Sequence, residues 1–262
     1  ASSRHIEKAA VQQLWASIMA LVTLDQDYAE LWRRGQDCIL SFRGSDSAVD
    51  FANDVYALPR SFHGLSGLSS GVVNELGNLL TLIQTQGGKT IVQNSCHGSF
   101  TVTGHSLGGA LAIIFSALVN KASNPLGWSR KVDELYVFGS MPVATTRLRN
   151  DQHPSGCFKG ASYLNLDSGG RIDPAYVTGG LQHPHIAIIT VDGGGKQVVH
   201  GCHDPQPSHP PAATLMPLHM FDTYTNRIGC AGIPHPPWPP GPTLQQGSAP
   251  TPSPTPSPTP RH

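Results

Sequence analysis

The sequence predicts an α/β fold in which helices flank a mostly parallel central sheet. Short β-branched or apolar stretches, typical of strands, alternate along the chain with longer stretches whose apolar residues recur at helical spacing. One strand-like stretch runs into a small-residue turn at Ser106, and a helix-like stretch follows at once. Ser106 and the segment Arg43-Gly44-Ser45 fall where predicted strands end, and parallel sheets bind ligands at those ends.

The first predicted element is a helix at residues 7–21. Its apolar residues share one helical face: Ala10, Leu14, Ile18 and Leu21. A strand is predicted next, at residues 37–42, and a second helix at residues 69–84, where the apolar residues again follow helical spacing.

The segment "SFTVTG" predicts a strand before Ser106, because it alternates and is rich in β-branched residues. The segment after Ser106 is apolar nearly all round and predicts a buried helix. Three elements follow: strands at residues 135–138 and 162–166, and a hairpin at residues 185–200 that turns at Gly193-Gly194-Gly195. Asp167 and Asp173 come just after the second of these strands.

Composition indicates one folded domain at residues 1–232 and a tail at residues 233–262. The tail is dominated by Pro, Ser and Thr, so we expect it to be extended and mobile rather than packed into a core. Its Pro-Thr and Pro-Ser repeats favour O-glycosylation or a link to a further module.

The charge balance excludes several kinds of partner. The 17 basic and 17 acidic residues cancel, and no basic patch argues for nucleic acid or an anionic membrane surface. The longest apolar runs are too short for a transmembrane segment. No signal peptide stands at the start, which fits a mature secreted chain or a cytosolic one.

The cysteines, together with the Pro/Ser/Thr-rich tail, favour secretion. The chain has five cysteines and no Cys-x-x-Cys pair, so one thiol would remain unpaired in an oxidising compartment. Cys38 is the expected free thiol, because it lies in an apolar predicted strand. The other four allow two disulfides: Cys96, Cys157, Cys202 and Cys230.

Ser106 is the candidate nucleophile. It lies in a Gly-x-Ser-x-Gly motif between a strand and a helix, the setting of a nucleophile elbow. Ser69 lies in a second match to the motif, but its preceding segment reads as a loop. Glycines are needed around an elbow because strand and helix pass closely, and the backbone N–H of Leu107 would then point at a developing oxyanion.

A nucleophilic serine needs a base, and the chain offers several histidines. His183 and His185 flank a proline at a strand start and read as hairpin residues. The segment "HGCHD" at residues 200–204 suggests a metal, but no second cluster at ligand spacing accompanies it, so no metal site is predicted. His219 follows a Pro-rich loop and opens an apolar segment, a setting that suits a catalytic histidine.

Four segments in order, "FRGSDSAVDF", "TVTGHSLGG", "VFGSMPV" and "LHMFDTY", resemble the class 3 (fungal-type) lipase family of α/β-hydrolases. The resemblance spans about residues 36–230. It implies that Ser106 is the nucleophile and His219 the general base, that Ser45 and Leu107 are the oxyanion-hole donors, and that residues 46–55 form a lid. "VFGSMPV" shifts the family's proline and lacks its arginine, so no role is assigned to it.

The resemblance places the acid of the triad just after a strand, and two residues compete for it. Spacing favours Asp167, whereas the local pattern Asp-Pro-Ala-Tyr-Val favours Asp173. We predict Asp173, because the Gly-rich segment between the two reads as an insertion. Whichever acid is not catalytic is expected to cap a turn.

The predicted function is hydrolysis of carboxylic esters of acylglycerol lipids through an acyl-enzyme on Ser106, with no cofactor. The expected partners are an ester or lipid substrate and, transiently, a lipid–water interface. The segment "SAVDFANDVYAL" suits either an amphipathic lid or a plain surface helix. Alternatives are a feruloyl-type esterase, a phospholipase A1 or galactolipase, and a lipid-binding protein without catalysis.

Overall fold

The computed structural model describes residues 16–22, 28–44, 58–176, 181–208 and 216–228. Within these ranges the chain forms ten strands: β1 Ala16–Val22, β2 Tyr28–Arg34, β3 Asp37–Phe42, β4 Arg60–Phe62, β5 Leu65–Leu68, β6 Phe100–His105, β7 Glu134–Phe138, β8 Gly160–Asn165, β9 Ala187–Val191 and β10 Gln197–His200. The same ranges hold five helices: α1 Ser70–Thr85, α2 Gly88–Ser95, α3 Leu107–Asn120, α4 Met216–His219 and α5 Phe221–Arg227. A 3-10 turn covers Pro174–Tyr176.

Eight strands form one sheet in the order β1-β2-β3-β6-β7-β8-β9-β10. The five central strands run parallel to one another: β3, β6, β7, β8 and β9. β1 and β2 at one edge and β10 at the other pair antiparallel with their neighbours. The predicted α/β fold with a mostly parallel central sheet is therefore confirmed.

Helix α3 leaves the sheet directly after β6 and packs on β3, β6 and β7 and against α1. Every residue from Leu107 to Asn120 is buried, as the apolar sequence after Ser106 predicts. Because the helix is held on both sides, the turn that joins it to β6 is fixed at the carboxyl edge of the sheet.

Several other predicted elements are confirmed. The strand at residues 37–42 is β3, those at residues 135–138 and 162–166 correspond to β7 and β8, and the hairpin is β9–β10. The second helix is α1. Helix α2 was not predicted, because it has only eight residues and they are of mixed polarity.

The helix predicted at residues 7–21 is wrong for the part that the structure describes. Residues 16–22 form β1, which pairs with β2 from Ala16 opposite Arg33 to Val22 opposite Tyr28. Met19 is buried and the neighbouring Ala20 is exposed, as successive residues of a strand on opposite faces are. The pairing with β2 shifts register between Ser17 and Met19, so Ser17 is exposed although it lies two residues from Met19. The pattern allowed both periods, and pairing with β2 decides between them.

The prediction of a loop before Ser69 is also wrong. It forms the β4–β5 hairpin, which turns at His63 and Gly64. Both turn residues have positive φ, 46° and 78°, which a two-residue hairpin turn of type I′ requires.

Cys38 is not a free thiol. It is bonded to Cys96 with the Cα atoms 5.5 Å apart, and Cys157 is bonded to Cys202. Cys38 is buried in β3, as predicted, but α2 ends directly beside it and carries Cys96 there. That neighbour could not be seen in the sequence because α2 itself was missed.

Some predictions fall outside the described residues. These are the oxyanion-hole residue Ser45, the lid at residues 46–55, Cys230 and the tail at residues 233–262. Across the part of the chain that is described, no helix has both the length and the apolar character needed to cross a bilayer.

Candidate active site

Ser106 lies at a sharp turn between β6 and α3. Its backbone angles are φ 57° and ψ −126°, a strained combination for a residue with a side chain. Ser69, in the second match to the motif, also stands between a strand and a helix, but its angles are φ −56° and ψ 121°. The backbone therefore separates two serines that the motif alone does not.

Glycines make this turn possible. A Cβ atom at Gly104 would overlap the main chain of Gly108, and one at Gly108 would overlap the carbonyl of Phe42. A Cβ at Gly109 would lie 2.7 Å from Cβ of Ser140. The crowding predicted around Ser106 is confirmed at all three glycines.

Ser106, His219 and Asp173 form one chain of hydrogen bonds. Oγ of Ser106 lies 2.8 Å from Nε2 of His219. Nδ1 of His219 lies 3.0 Å from both carboxylate oxygens of Asp173. All three residues are buried, Asp173 completely. The three elements that carry them, the β6–α3 turn, α4 and the turn after β8, converge at the carboxyl edge of the sheet.

Asp173 is held on the side away from His219. One carboxylate oxygen accepts a hydrogen bond from the backbone N–H of Ala175 at 2.9 Å, and the other accepts one from the hydroxyl of Tyr224. Burial and the charge of Asp173 raise the pKa of Tyr224 well above its usual range, so the hydroxyl keeps its proton and donates it.

Asp167 occupies a different environment. Its carboxylate accepts hydrogen bonds from the backbone of Gly169 and Arg171 at 2.9 and 2.8 Å, and it pairs with Nε of Arg171 at 2.6 Å. These contacts hold the pKa of Asp167 below its usual range. The structure thus brings Asp173 to His219 and places Asp167 in a turn.

Tyr224 was not singled out from the sequence, although it ends the quoted segment "LHMFDTY". Its hydroxyl donates to Asp173 and accepts from the backbone N–H of Asn165 at 3.2 Å. No local pattern could reveal this role, because both partners lie more than fifty residues earlier in the chain.

We expect Tyr224→Phe to lower the free energy of unfolding by about 1.5–3 kcal/mol, since it takes a buried donor from a charged acceptor. Urea unfolding monitored by tryptophan fluorescence measures the change. Tyr136→Phe on β7, outside this network, is the control and should shift stability by no more than about 0.5 kcal/mol. Equal effects of the two substitutions would contradict the assignment.

The oxyanion-hole candidates are only partly described. Leu107 is the first residue of α3, and N–H groups in the first turn of a helix have no intrahelical acceptor. Ser45 lies outside the described residues. Gly44, which precedes it, is close to the turn, because a Cβ there would lie 2.7 Å from the carbonyl oxygen of His105 and 3.3 Å from Cβ of Ser106. The segment just after β3 therefore lies close to Ser106.

The remaining candidate histidines lie away from Ser106. His183 and His185 stand just before β9, and His183 is fully buried with its ring stacked 4.4 Å from that of Tyr176. Burial lowers the pKa of His183 to about 3. His203 of "HGCHD" has Nε2 at 3.3 Å from Sγ of Cys157. Cysteine binds metals as a thiolate, and both nearby cysteines are joined in a disulfide.

The buried histidines predict acid sensitivity of the fold. His183, with a pKa of about 3, and His105, whose pKa burial lowers to about 4, titrate near 6.5 when unfolded. At pH values between the folded and unfolded pKa, the unfolded chain binds protons that the folded chain does not bind. The free energy of unfolding therefore rises with pH in this range and falls on acidification. We expect His183→Phe to make the melting temperature less dependent on pH between about 4 and 6.5. Parallel curves for variant and wild type in thermal unfolding would refute this.

A cleft of about 470 Å³ lies elsewhere on the molecule, lined by residues that include Phe62, Lys89 and Trp128. The Trp128 ring stacks 6.1 Å from that of Phe100, the first residue of β6. Ser106 follows the last residue of the same strand. The cleft is therefore at the opposite end of the sheet from the candidate site and takes no part in it.

Comparison with known proteins relates part of this chain to one family. The family model for lipase (class 3) matches residues 39–155, a range that contains Ser106 but neither Asp173 nor His219. Among curated proteins, none matches the sequence.

Solved structures share the fold at low identity. Triacylglyceride lipase of Rhizomucor miehei is 19% identical with a TM-score of 0.56, and the match covers 78% of this chain and 76% of that one. Lip2 lipase of Yarrowia lipolytica is 16% identical with a TM-score of 0.52, covering 71% and 70%. A triacylglycerol lipase described as having a serine protease triad at its catalytic centre is 18% identical with a TM-score of 0.54, covering 82% and 80%.

Proposed function

We propose that this chain, whose residues 39–155 match the class 3 lipase family, is a carboxylic ester hydrolase that cleaves acylglycerol lipids through an acyl-enzyme on Ser106. The proposal rests on one observation above all. Ser106 stands at a strained turn with its Oγ hydrogen-bonded to His219, which Asp173 holds from the other side.

The arrangement supports a two-step acyl transfer. His219 takes the proton of Ser106 as Oγ attacks the ester carbonyl carbon, and then gives that proton to the departing alcohol. Asp173 fixes the histidine with Nδ1 protonated and stabilises the imidazolium that forms. Water, activated by His219 in the same way, then cleaves the acyl-enzyme and releases the acid.

The oxyanion of each tetrahedral intermediate needs donors that are in place beforehand. We assign this role to the backbone N–H of Leu107 and to Ser45. A single donor of this kind contributes about 3–4 kcal/mol to transition-state stabilisation. The buried position of Ser106 strengthens the effect, because water competes poorly for the oxyanion there.

Two observations support a long apolar acyl group as substrate. The family that matches residues 39–155 is a lipase family. Met220, directly after His219, is about half exposed at 51%, which gives the chain beside the site an apolar surface. The proposed contact with a lipid–water interface and the lid at residues 46–55 extend the same assignment.

Secretion is the proposed location. Its support is the pair of disulfides, Cys38–Cys96 and Cys157–Cys202, which form and persist in oxidising compartments.

The experiment is a comparison of substrates with the wild-type chain. It uses p-nitrophenyl esters from acetate to palmitate, emulsified trioleoylglycerol, phosphatidylcholine and methyl ferulate. We expect the highest kcat/KM on the longer acyl chains and release of oleic acid from trioleoylglycerol. Preference for methyl ferulate would instead indicate a feruloyl-type esterase, and preference for phosphatidylcholine a phospholipase. Absence of activity on every ester would leave a lipid-binding protein.

A further inference from the structure

We propose that His105 and Asn165 are positioning residues that clamp the main chain of His219 in register with Ser106, an inference that rests on the proposed function. Asn165 Nδ2 donates to the carbonyl oxygen of Leu218 at 3.0 Å. His105 Nε2 donates to the carbonyl oxygen of His219 at 2.7 Å. Two consecutive carbonyl groups are thus held by two side chains from the sheet.

Both clamp residues stand at the edge of the sheet that carries the site. His105 is the last residue of β6, immediately before Ser106, and Asn165 is the last residue of β8. β6 and β8 both pair with β7, so the donors are fixed relative to each other by the ladder between them. A shift of the His219 main chain relative to Ser106 would break at least one of the two bonds.

Helix α4 needs such external support. It has four residues, a single turn, and one turn of helix is not stable by itself. Met220 after it is extended, with φ −63° and ψ 139°, so the chain does not continue as one helix into α5. The last carbonyls of a helix have no intrahelical donor. His105 and Asn165 supply donors to the carbonyls of its last two residues, and the second of these residues is His219.

The chemistry of both donors suits this role. The carbonyl oxygen of His219 can only accept, so Nε2 of His105 must carry a proton. Burial, with the nearby His219 as the second cause, lowers the pKa of His105 to about 4, so the ring donates while neutral. The rings of His105 and His219 lie 4.9 Å apart. A positive charge on His105 would therefore oppose the imidazolium that His219 forms during catalysis.

Asn165 is a polar side chain on a completely buried strand position. Burying an amide costs free energy unless it is hydrogen-bonded, and packing alone would be better served by leucine. An apolar residue of similar size could not make the hydrogen bond to the carbonyl of Leu218. That bond is therefore the specific contribution of the asparagine.

The experiment compares His105→Phe and Asn165→Leu with His105→Gln, whose Nε2 can replace the lost donor. Active sites are first titrated with a fluorophosphonate, so that kcat refers to folded, reactive chains. We expect kcat on p-nitrophenyl butyrate to fall about 10- to 100-fold in His105→Phe and Asn165→Leu, because a displacement of about 1 Å costs about that much. KM should stay within about threefold, and His105→Gln should recover kcat to within about threefold.

Asn120→Leu is the matched control. Asn120 is also a fully buried asparagine with a side-chain bond to a carbonyl, that of Val132 at 2.8 Å, but it ends α3 at the far end from Ser106. This variant should lower the melting temperature and leave kcat per titrated site unchanged.

Two results would overturn the clamp. One is a kcat per titrated site within about twofold of wild type in both His105→Phe and Asn165→Leu. The other is a loss in His105→Gln equal to that in His105→Phe. If His105→Phe does not fold, the clamp is overturned by a kcat per titrated site within about twofold of wild type in Asn165→Leu, or by a loss of more than about tenfold in His105→Gln. Failure of the proposed function is a separate outcome, since it would appear as an active Ser106→Ala or an inactive wild type.

Discussion

Ser106→Ala is expected to lower kcat for ester hydrolysis by at least about 10⁴-fold while leaving the fold intact. Alanine has no Oγ to attack the carbonyl, and His219 then has no proton to take. The substitution removes only a hydroxyl, so thermal unfolding should remain cooperative. Initial rates on p-nitrophenyl butyrate, with the melting temperature measured on the same samples, test both statements.

Ser69→Ala is the control that the chain itself provides. Ser69 also lies in Gly-x-Ser-x-Gly between a strand and a helix, but its φ of −56° is ordinary and it is 1% exposed. Its backbone N–H is bonded to the carbonyl of Val143 at 2.9 Å. We expect Ser69→Ala to keep wild-type kcat. Loss of activity in Ser69→Ala together with retention in Ser106→Ala would reverse the assignment of the nucleophile.

Asp173→Asn is expected to lower kcat about 10⁴-fold with little change in KM. An asparagine amide facing Nδ1 can donate, which favours the histidine tautomer with the proton on Nε2. That tautomer cannot accept the proton of Ser106. The carboxylate that stabilises the imidazolium is lost in the same step.

Asp167→Asn is the matched control, since it changes the neighbouring acid in the same way. Asp167 lies in a turn and pairs with Arg171, both partly exposed, so its loss should change stability by no more than about 1 kcal/mol. Its kcat should stay within about twofold of wild type. If Asp167→Asn were the inactive variant, the spacing argument from the sequence would be right and the choice of Asp173 wrong.

Much of the fold could be predicted because its signals are local. β3, α1 and the β9–β10 hairpin follow from apolar periodicity and glycine turns within a few residues. The turn at Ser106 was predicted for the same reason, since its glycines and the flanking strand and helix all lie within twenty residues.

What could not be predicted depends on contacts between distant segments. Residues 16–22 fit a helix or a strand until β2 pairs with them. Cys38 gains its partner 58 residues later in the chain. His105 reaches the carbonyl of a residue 114 positions away. In each case the deciding interaction is set by the topology of the sheet, which a single sequence pattern does not contain.

The most direct test of the account is covalent modification by diethyl p-nitrophenyl phosphate, followed by mass spectrometry of the peptides. We predict one diethylphosphoryl group per chain, on the peptide that contains Ser106, with loss of esterase activity in proportion to labelling. The group should be absent from Ser106→Ala and formed slowly in Asp173→Asn. Labelling of the peptide that contains Ser69, or complete inactivation with Ser106 unmodified, would contradict the assignment of Ser106 as the nucleophile.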